Sequence, residues 1–286
     1  MYRILEKDDL VAQVHRYVIE APDVVRTAKA GQFVIIRVHP YGERIPITIA
    51  DWDRTKGTIT LYVQAVGKTT MLMSRLKTGD ALSDVVGPLG LPSHIEPQKT
   101  LVAIGGGFGI AAIHPVVRAH KNIGNTTISI IGARSHDLLI MEEEIRKISD
   151  EVLIATDDGS YGTKGMVTDV LQSVLAAGRK IDVCLAIGPV VMMKAVCDIT
   201  RPYNVTTLVS LNPIMMDGTG MCGACRVSVN NEKKFACVDG PEFNGHDVDF
   251  DLLTARQKMY LPQEKLSLEL YEHQCKATPH PENSSW

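Results

Sequence analysis

Thr100-Leu-Val-Ala-Ile-Gly105-Gly-Gly-Phe-Gly109-Ile-Ala-Ala112 is the stretch that decides the fold. A short apolar run, read as a strand over residues 100–104, meets a glycine turn, Gly107-x-Gly109-x-x-Ala112, and then a helical stretch over 110–119. Strand, glycine turn and helix in that order open a dinucleotide-binding unit. The glycines let the backbone approach a pyrophosphate, and the free N–H groups of the helix start stabilise its charge. Gly107, Phe108, Gly109 and Ile110 are therefore candidate nucleotide contacts, with a tight turn that binds nothing as the alternative. The acidic residue usual at the end of the next strand is missing. Ile131-Gly-Ala-Arg134-Ser135 instead places a cation near the position of a ribose 2′-hydroxyl or 2′-phosphate, so the motif does not separate NAD from NADP.

Downstream, apolar runs at 126–131, 151–156 and 183–187 alternate with helical patterns such as 141–149, which predicts an α/β unit on a parallel sheet. Upstream, residues 1 to about 95 read as β. Segments 13–19, 32–38, 46–50 and 58–66 are rich in Val, Ile, Thr and Tyr and are bounded by Gly, Pro and Asp, and a small antiparallel barrel closes such a set. Within it, Arg44-Ile-Pro46-Ile47-Thr48 would present Arg44, Pro46 and Thr48 on one face of a strand, offering a cation, a flat apolar contact and a hydroxyl to one ligand such as a flavin dinucleotide. An edge strand with a surface Arg is the competing reading. Gly67-Lys-Thr69-Thr70 adds backbone N–H groups and hydroxyls suited to a phosphate, and Gly87-Pro-Leu-Gly90 closes the barrel.

The most specific signal follows residue 208. Asp217-Gly-Thr-Gly-Met-Cys222-Gly-Ala-Cys225, with Cys237 beyond, has the plant-type [2Fe–2S] spacing, except that Asp217 stands at the first cysteine position. Zinc held by three thiolates with His246 or Asp217, three unligated thiols, or an Asp217 that only caps the loop are the alternatives. Cys184 and Cys197 sit in apolar strand and helix contexts and read as core, and Cys275 borders a polar tail, 276–286, after a helix expected within 251–274.

With 286 residues the chain has room for about two domains at roughly 150 residues each, or two plus a small module. Its 30 basic and 33 acidic residues give a net charge of −3, which points to neither nucleic acid nor anionic lipid. The first dozen residues hold no apolar core of signal-peptide type, and residues 101–117 fall short of a membrane span, so a cytoplasmic chain is expected.

Taken together, the barrel, Arg-x-Pro-x-Thr, GGGFGIA, Ile187-Gly188-Pro189 with Met193, and the cysteine loop occur in the order seen in the ferredoxin–NADP reductase superfamily. The chain most closely resembles its subgroup with an added iron–sulfur module, which includes the electron-transfer subunit of dihydroorotate dehydrogenase. Ser210 to Arg226 and Phe235 to Phe243 look more narrowly like the small (alpha) subunit of NADH-dependent reduced ferredoxin:NADP⁺ oxidoreductases, where an Asp replaces the first cluster cysteine. The resemblance implies FAD against Arg44, Pro46, Ile47 and Thr48, with Tyr62, Val63 and Gln64 near its ribose and pyrophosphate and Gly67, Thr69 and Thr70 at the phosphates. It implies NAD(H) over Gly107 to Ile110, Arg134, Asp157, Asp158, Gly188, Pro189 and Met193, and a [2Fe–2S] cluster on Asp217, Cys222, Cys225 and Cys237. It also implies an NAD(H)-dependent oxidoreductase without a nucleophile or general base, working as a heterodimer with a larger flavin/iron–sulfur subunit that would house any electron bifurcation. A subunit feeding dihydroorotate dehydrogenase and a redox-sensing flavoprotein are the other functional readings. The expected division is 1–97 for the FAD barrel, 98–207 for the NAD unit, 208–250 for the cluster module and 251–286 for a C-terminal helix and tail.

Overall fold

The computed structural model describes residues 1–11 and 13–277, with side chains to residue 273. The end of the expected tail, 278–286, and the Cys275 side chain lie outside the described residues. Thr100–Gly106 is the centre of a seven-stranded sheet. Thr126–Ala133, Glu151–Thr156 and the short Thr163–Lys164 lie to one side of it, and Val183–Ile187, Thr206–Ser210 and Glu242–Asn244 to the other. All pairings are parallel except the last, where Ser210 opposes Glu242. Helices cover both faces, which is why these strands read as unbroken apolar runs rather than alternating ones. Leu101, Ala103, Leu185 and Ile187 pack with the helices Gly109–Asn122 and Glu142–Ile148. Val102, Ile104, Cys184 and Ala186 pack on the opposite face with Val167–Ala176 and Val190–Thr200.

The N-terminal part is β as expected, in two sheets that share one core. Asp51–Asp53, Thr58–Gln64, Val14–Glu20, Tyr2–Val11 and Ala81–Leu82 form the larger, and Arg44–Thr48, Phe33–Arg37 and Asp84–Leu89 the smaller. The first strand, Tyr2–Val11, is one the sequence hides. Most of its outward side chains are charged, with Leu5 and Leu10 the exceptions, and its pairing to Val14–Glu20 holds it in place. Ile4, Tyr17, Ile19, Ile36, Leu61 and Met73 fill the core, with the Tyr17 hydroxyl donating to the Met73 carbonyl at 2.9 Å.

One correction concerns the C-terminus, which is two helices, Phe250–Gln257 and Leu261–Ala277, rather than one. Asp249 caps the first through its carboxylate, which accepts from the Leu252 N–H at 2.8 Å. Pro262 sits in the first turn of the second, where its missing N–H costs nothing, but it could not continue the first helix. Residues from the barrel, the sheet and the cysteine loop share one contiguous core. Phe33, Ile35, Val209, Cys225, Cys237 and Phe243 all belong to it.

Helix Gly109–Asn122 joins the two large parts. The His114 Nδ1–H donates to the Ala50 carbonyl at 3.0 Å, Arg118 pairs with Asp51, and the Arg118 guanidinium stacks 4.9 Å from the Trp52 ring centre. At the helix C-terminus, His120 Nδ1 accepts from the Asn125 amide at 2.8 Å. Burial lowers the pKa of both histidines below the ordinary value. Their folded-state pKa values thus lie below those of the unfolded chain, so the unfolded state takes up protons first as pH falls. The stability they contribute is complete above about 6.5 and declines below it. The melting temperature should therefore drop between pH 7.5 and 5.5, and a His114→Gln, His120→Gln double variant should show a shallower drop. Equal slopes in the two proteins would refute this origin.

Candidate functional site

The carboxyl ends of the parallel strands open onto a cleft of about 810 Å³ whose opposite wall is the barrel. From the nucleotide side it is lined by Gly107, Phe108, Gly109, Arg134, Asp157, Gly188 and Pro189, and from the barrel by Thr48 and Gln64. These are sequence candidates brought together from both halves. Gly107 has a φ of +54° and open space where a side chain would go, so its backbone faces the cleft. Gly109 is different. A Cβ there would collide with the Ile187 carbonyl oxygen, so its need for glycine comes from the close approach of helix to strand.

Three nucleotide candidates are placed elsewhere. Ile110 is fully buried beneath the turn, packed against Gly105, and its side chain cannot reach a ligand. Met193 is also fully buried, packed in the core beneath helix Val190–Thr200. Its neighbour Met192 faces the cleft instead. Asp158 turns away, accepting from the Ser160 hydroxyl at 2.7 Å and its N–H at 2.9 Å, and these bonds lower its pKa. Ser210, Asn212, Met166, Val167 and Thr168 also line the cleft without having been given a role. For Ser210 and Asn212 the available signal is their position at and just past a strand end, where Gly106, Gly107, Arg134, Asp157 and Gly188 also lie.

On the barrel, Ile45 and Ile47 pack on the core, which leaves Arg44, Pro46 and Thr48 on the other strand face; Arg44 is exposed. The Ile47 side chain is therefore turned to the core and away from the face that carries Arg44, Pro46 and Thr48. Val63 is likewise in the barrel core, and Tyr62 is buried where the barrel meets the nucleotide unit, its hydroxyl pKa pushed up to about 12 by burial. At Gly67, Thr70 spends its hydroxyl on a capping box, accepting from the Val66 and Gly67 N–H groups at 3.0 and 2.9 Å. Thr69 donates to the Glu43 carboxylate at 2.8 Å, and Lys68 Nζ stands 3.8 Å from the same group. Both threonine hydroxyls are thus engaged within the chain, and a phosphate here would have to displace the Glu43 carboxylate and use the backbone N–H groups of the helix start.

The cysteine loop curls through Gly218, Gly220 and Gly223, all at positive φ. Its donors fall into two pairs. Cys225 and Cys237 are buried with their sulfurs 3.2 Å apart. Asp217 accepts from the Cys222 N–H at 2.7 Å through one oxygen and from the Thr219 N–H at 2.8 Å through the other. Those bonds hold its carboxylate below the usual range, while each oxygen retains a free lone pair. Burial beside Cys225 pushes the Cys237 thiol up to about 12. Among the described residues no three of these side chains are gathered as a metal site, and Cys222 is exposed. The loop thus brings the Asp217 carboxylate to the Cys222 backbone, and the hairpin that follows returns Cys237 to Cys225, an arrangement from which a two-iron cluster could take one pair of ligands for each iron. His246, the alternative zinc ligand, bonds through Nε2 to the Val205 carbonyl at 3.1 Å, away from the loop.

The model for the iron–sulfur cluster binding domain of dihydroorotate dehydrogenase B matches residues 212–249. A dihydroorotate dehydrogenase B (NAD(+)) electron transfer subunit homolog of Thermotoga maritima is 49% identical over 94% of each chain. A solved structure of NADH-dependent reduced ferredoxin-NADP oxidoreductase, described in connection with flavin-based electron bifurcation, is 47% identical with a TM-score of 0.90 over 95% of this chain and 98% of that one. The ferredoxin NADP⁺ reductase of Neisseria gonorrhoeae, at 17% identity and a TM-score of 0.60 over 71% of this chain and 90% of that one, shares the fold. The chain belongs to the family of dihydroorotate dehydrogenase B electron transfer subunits and their homologues, with a ferredoxin–NADP reductase-like fold.

Gly109→Val should abolish the folded nucleotide unit rather than selectively block a ligand. Gly107→Ala should keep the fold at a cost of about 1–2 kcal/mol from its left-handed conformation. Thermal melts of the two variants check this, and a Gly109→Val protein with the melting temperature of the parent would contradict it.

Proposed function

We propose that this family member is the flavin and iron–sulfur electron-transfer subunit of an NAD(H)-dependent oxidoreductase. It passes electrons between NAD(H), FAD and a [2Fe–2S] cluster to a larger flavin/iron–sulfur subunit, as in electron-bifurcating NADH-dependent ferredoxin:NADP⁺ oxidoreductase. One observation supports this most strongly. Thr48, on the strand Arg44–Thr48, lines the nucleotide cleft, while Ile35 and Leu89 on the other two strands of that small sheet meet the cluster loop at Gly218. A side chain at Gly218 would stand 2.9 Å from Ile35 and 2.6 Å from Leu89. One small sheet thus touches both the cleft proposed for the hydride donor and the loop proposed for the cluster.

A hydride carries two electrons, a two-iron cluster takes one at a time, and a flavin exchanges either number, which sets it between the two. The protein's own residues need supply no nucleophile or base. Arg44 places a cation for the pyrophosphate of FAD, Thr48 and Pro46 offer a hydroxyl and an apolar face to its ring, and Gln64 with the Gly67–Thr70 turn completes the phosphate side. Gly107 and Phe108 with Arg134, Asp157, Gly188 and Pro189 hold NAD(H). Asp217, Cys222, Cys225 and Cys237 hold the irons. We assign residues 1–97 to FAD, 98–207 to NAD(H), 208–250 to the cluster and 251–286 to the C-terminal helices and tail, with Glu242–Asn244 from the cluster segment closing the nucleotide sheet. Among the described residues no helix is long and apolar enough to cross a membrane, and we place the protein in the cytoplasm.

A second reading, service to a dihydroorotate dehydrogenase, is favoured by the match over 212–249. The large subunit that copurifies with the native protein distinguishes the two. Sustained turnover of NADH with an artificial electron acceptor would exclude a redox sensor.

Anaerobically purified protein should carry one FAD and two irons per chain, and zinc without iron would overturn the cluster. Arg44→Ala should weaken FAD binding by about 1.5–3 kcal/mol, the worth of a charge-assisted bond, as measured by titration of the apoprotein; unchanged affinity would place the flavin elsewhere. Asp217→Cys should keep the cluster but change its EPR spectrum and potential, because the ligand set at one iron changes. If Asp217 only caps the loop, that spectrum will stay that of the parent.

A further inference from the structure

The sheet changes direction at its centre. From Thr100–Gly106 the next strands in sequence run to one side, and Val183–Ile187 with its successor lie on the other. Open α/β sheets bind ligands in the crevice at such a switch point. Here its floor is Gly106 and Gly188, at the ends of the two strands that flank it, and the thioether of Met192 lies across both. A Cβ on Gly188 would stand 2.8 Å from Met192 Cε and 3.1 Å from Sδ, and one on Gly106 would overlap Sδ. Two neighbouring strand ends are thus without side chains, and a single partly buried methionine from helix Val190–Thr200 fills the space.

The rest of the crevice fixes what could enter. Arg134 and Asp157 line it beyond the neighbouring strands, Gly107 stands at the helix start, and Thr48 and Gln64 face it from the barrel. A dinucleotide with its adenosine end toward Arg134 and its pyrophosphate at Gly107 would bring its second ring over the Gly106–Gly188 floor of the same cleft. That place is taken by Met192. Methionine is unbranched and flexible at three bonds, so it can leave a slot that a β-branched or aromatic side chain would block for good.

We propose that Met192 is a displaceable plug at the switch point, which swings off the glycine floor when the nicotinamide end of the dinucleotide enters and so weakens binding of that end alone. This rests on the NAD(H) reading above. The test compares dissociation constants of NAD⁺ and of ADP-ribose, which lacks the nicotinamide, for the oxidised FAD- and cluster-loaded full chain and for Met192→Ala and Met192→Leu. Removing the plug removes the cost of moving and re-ordering one flexible side chain, which corresponds to about two- to tenfold in affinity. Met192→Ala should therefore bind NAD⁺ two- to tenfold more tightly with ADP-ribose unchanged, while Met192→Leu, which refills the slot with a stiffer side chain, should bind NAD⁺ no better than the parent. Weaker or unchanged NAD⁺ binding in Met192→Ala, or an equal change for both ligands, overturns the plug. A second measurement uses the parent protein alone. With methyl-¹³C methionine, the Met192 resonance, identified by its loss in Met192→Leu, should move with NAD⁺ and stay in place with ADP-ribose, and the same response to both overturns the proposal. If the parent binds neither nucleotide, the NAD(H) reading itself falls and the plug with it; if it binds ADP-ribose normally, only the plug is at stake.

Discussion

The contact between Gly109 and the Ile187 carbonyl governs the geometry of this molecule. It lets helix Gly109–Asn122 sit closer to the sheet than any side chain at that position would allow. The helix start is thereby fixed at the strand ends, where an anion would meet its N–H groups. Five residues on, the same helix presents His114 to the Ala50 carbonyl, and one turn later Arg118 to Asp51 and Trp52. A shift at the glycine would therefore be carried to the barrel, and the cleft between the two halves would lose its shape. The pairings are individually modest. Their effect comes from being mounted on one rigid helix whose apolar face is buried from Ile110 to Val117.

The cysteine loop is integrated by different means. Glu242–Asn244 adds an antiparallel strand to the nucleotide sheet, and the Leu91 N–H bonds to the Gly240 carbonyl at 2.6 Å. The Ser93 hydroxyl donates to Glu242 at 2.5 Å, linking the exit from the barrel to the cluster segment. Burial raises the pKa of that carboxyl. With Gly218 seated on Ile35 and Leu89, the loop has no independent core, and Cys225 and Cys237 belong to the same apolar cluster as the sheet.

The periodicities in the sequence were a reliable guide where one physical effect dominated. The parallel strands are apolar on both faces because both are covered, and the glycine turn between strand and helix has few alternative structures. The cysteine spacing read Cys225 and Cys237 as partners in one site, and across the hairpin over 226–235 their sulfurs meet. The reading failed where the outcome depended on rotation about an axis or on a tertiary partner. Met192 and Met193 differ by 100° around a helix, and only the packing of that helix on the sheet decides which faces the cleft. Tyr2–Val11 is too charged to announce a strand, and its partner strand supplies what its composition lacks. Gly109 was legible as a glycine requirement, but not as one imposed by Ile187, because that neighbour is far away in sequence.

The central claim is that this one chain converts a two-electron donor into a one-electron output. Mixing the loaded, isolated chain with NADH under anaerobic conditions and freezing samples for EPR at successive times tests it most directly. The account predicts that flavin absorbance bleaches first and that the signal of a reduced [2Fe–2S] cluster then grows within the same chain. Bleaching of the flavin with no cluster signal at any time would contradict it.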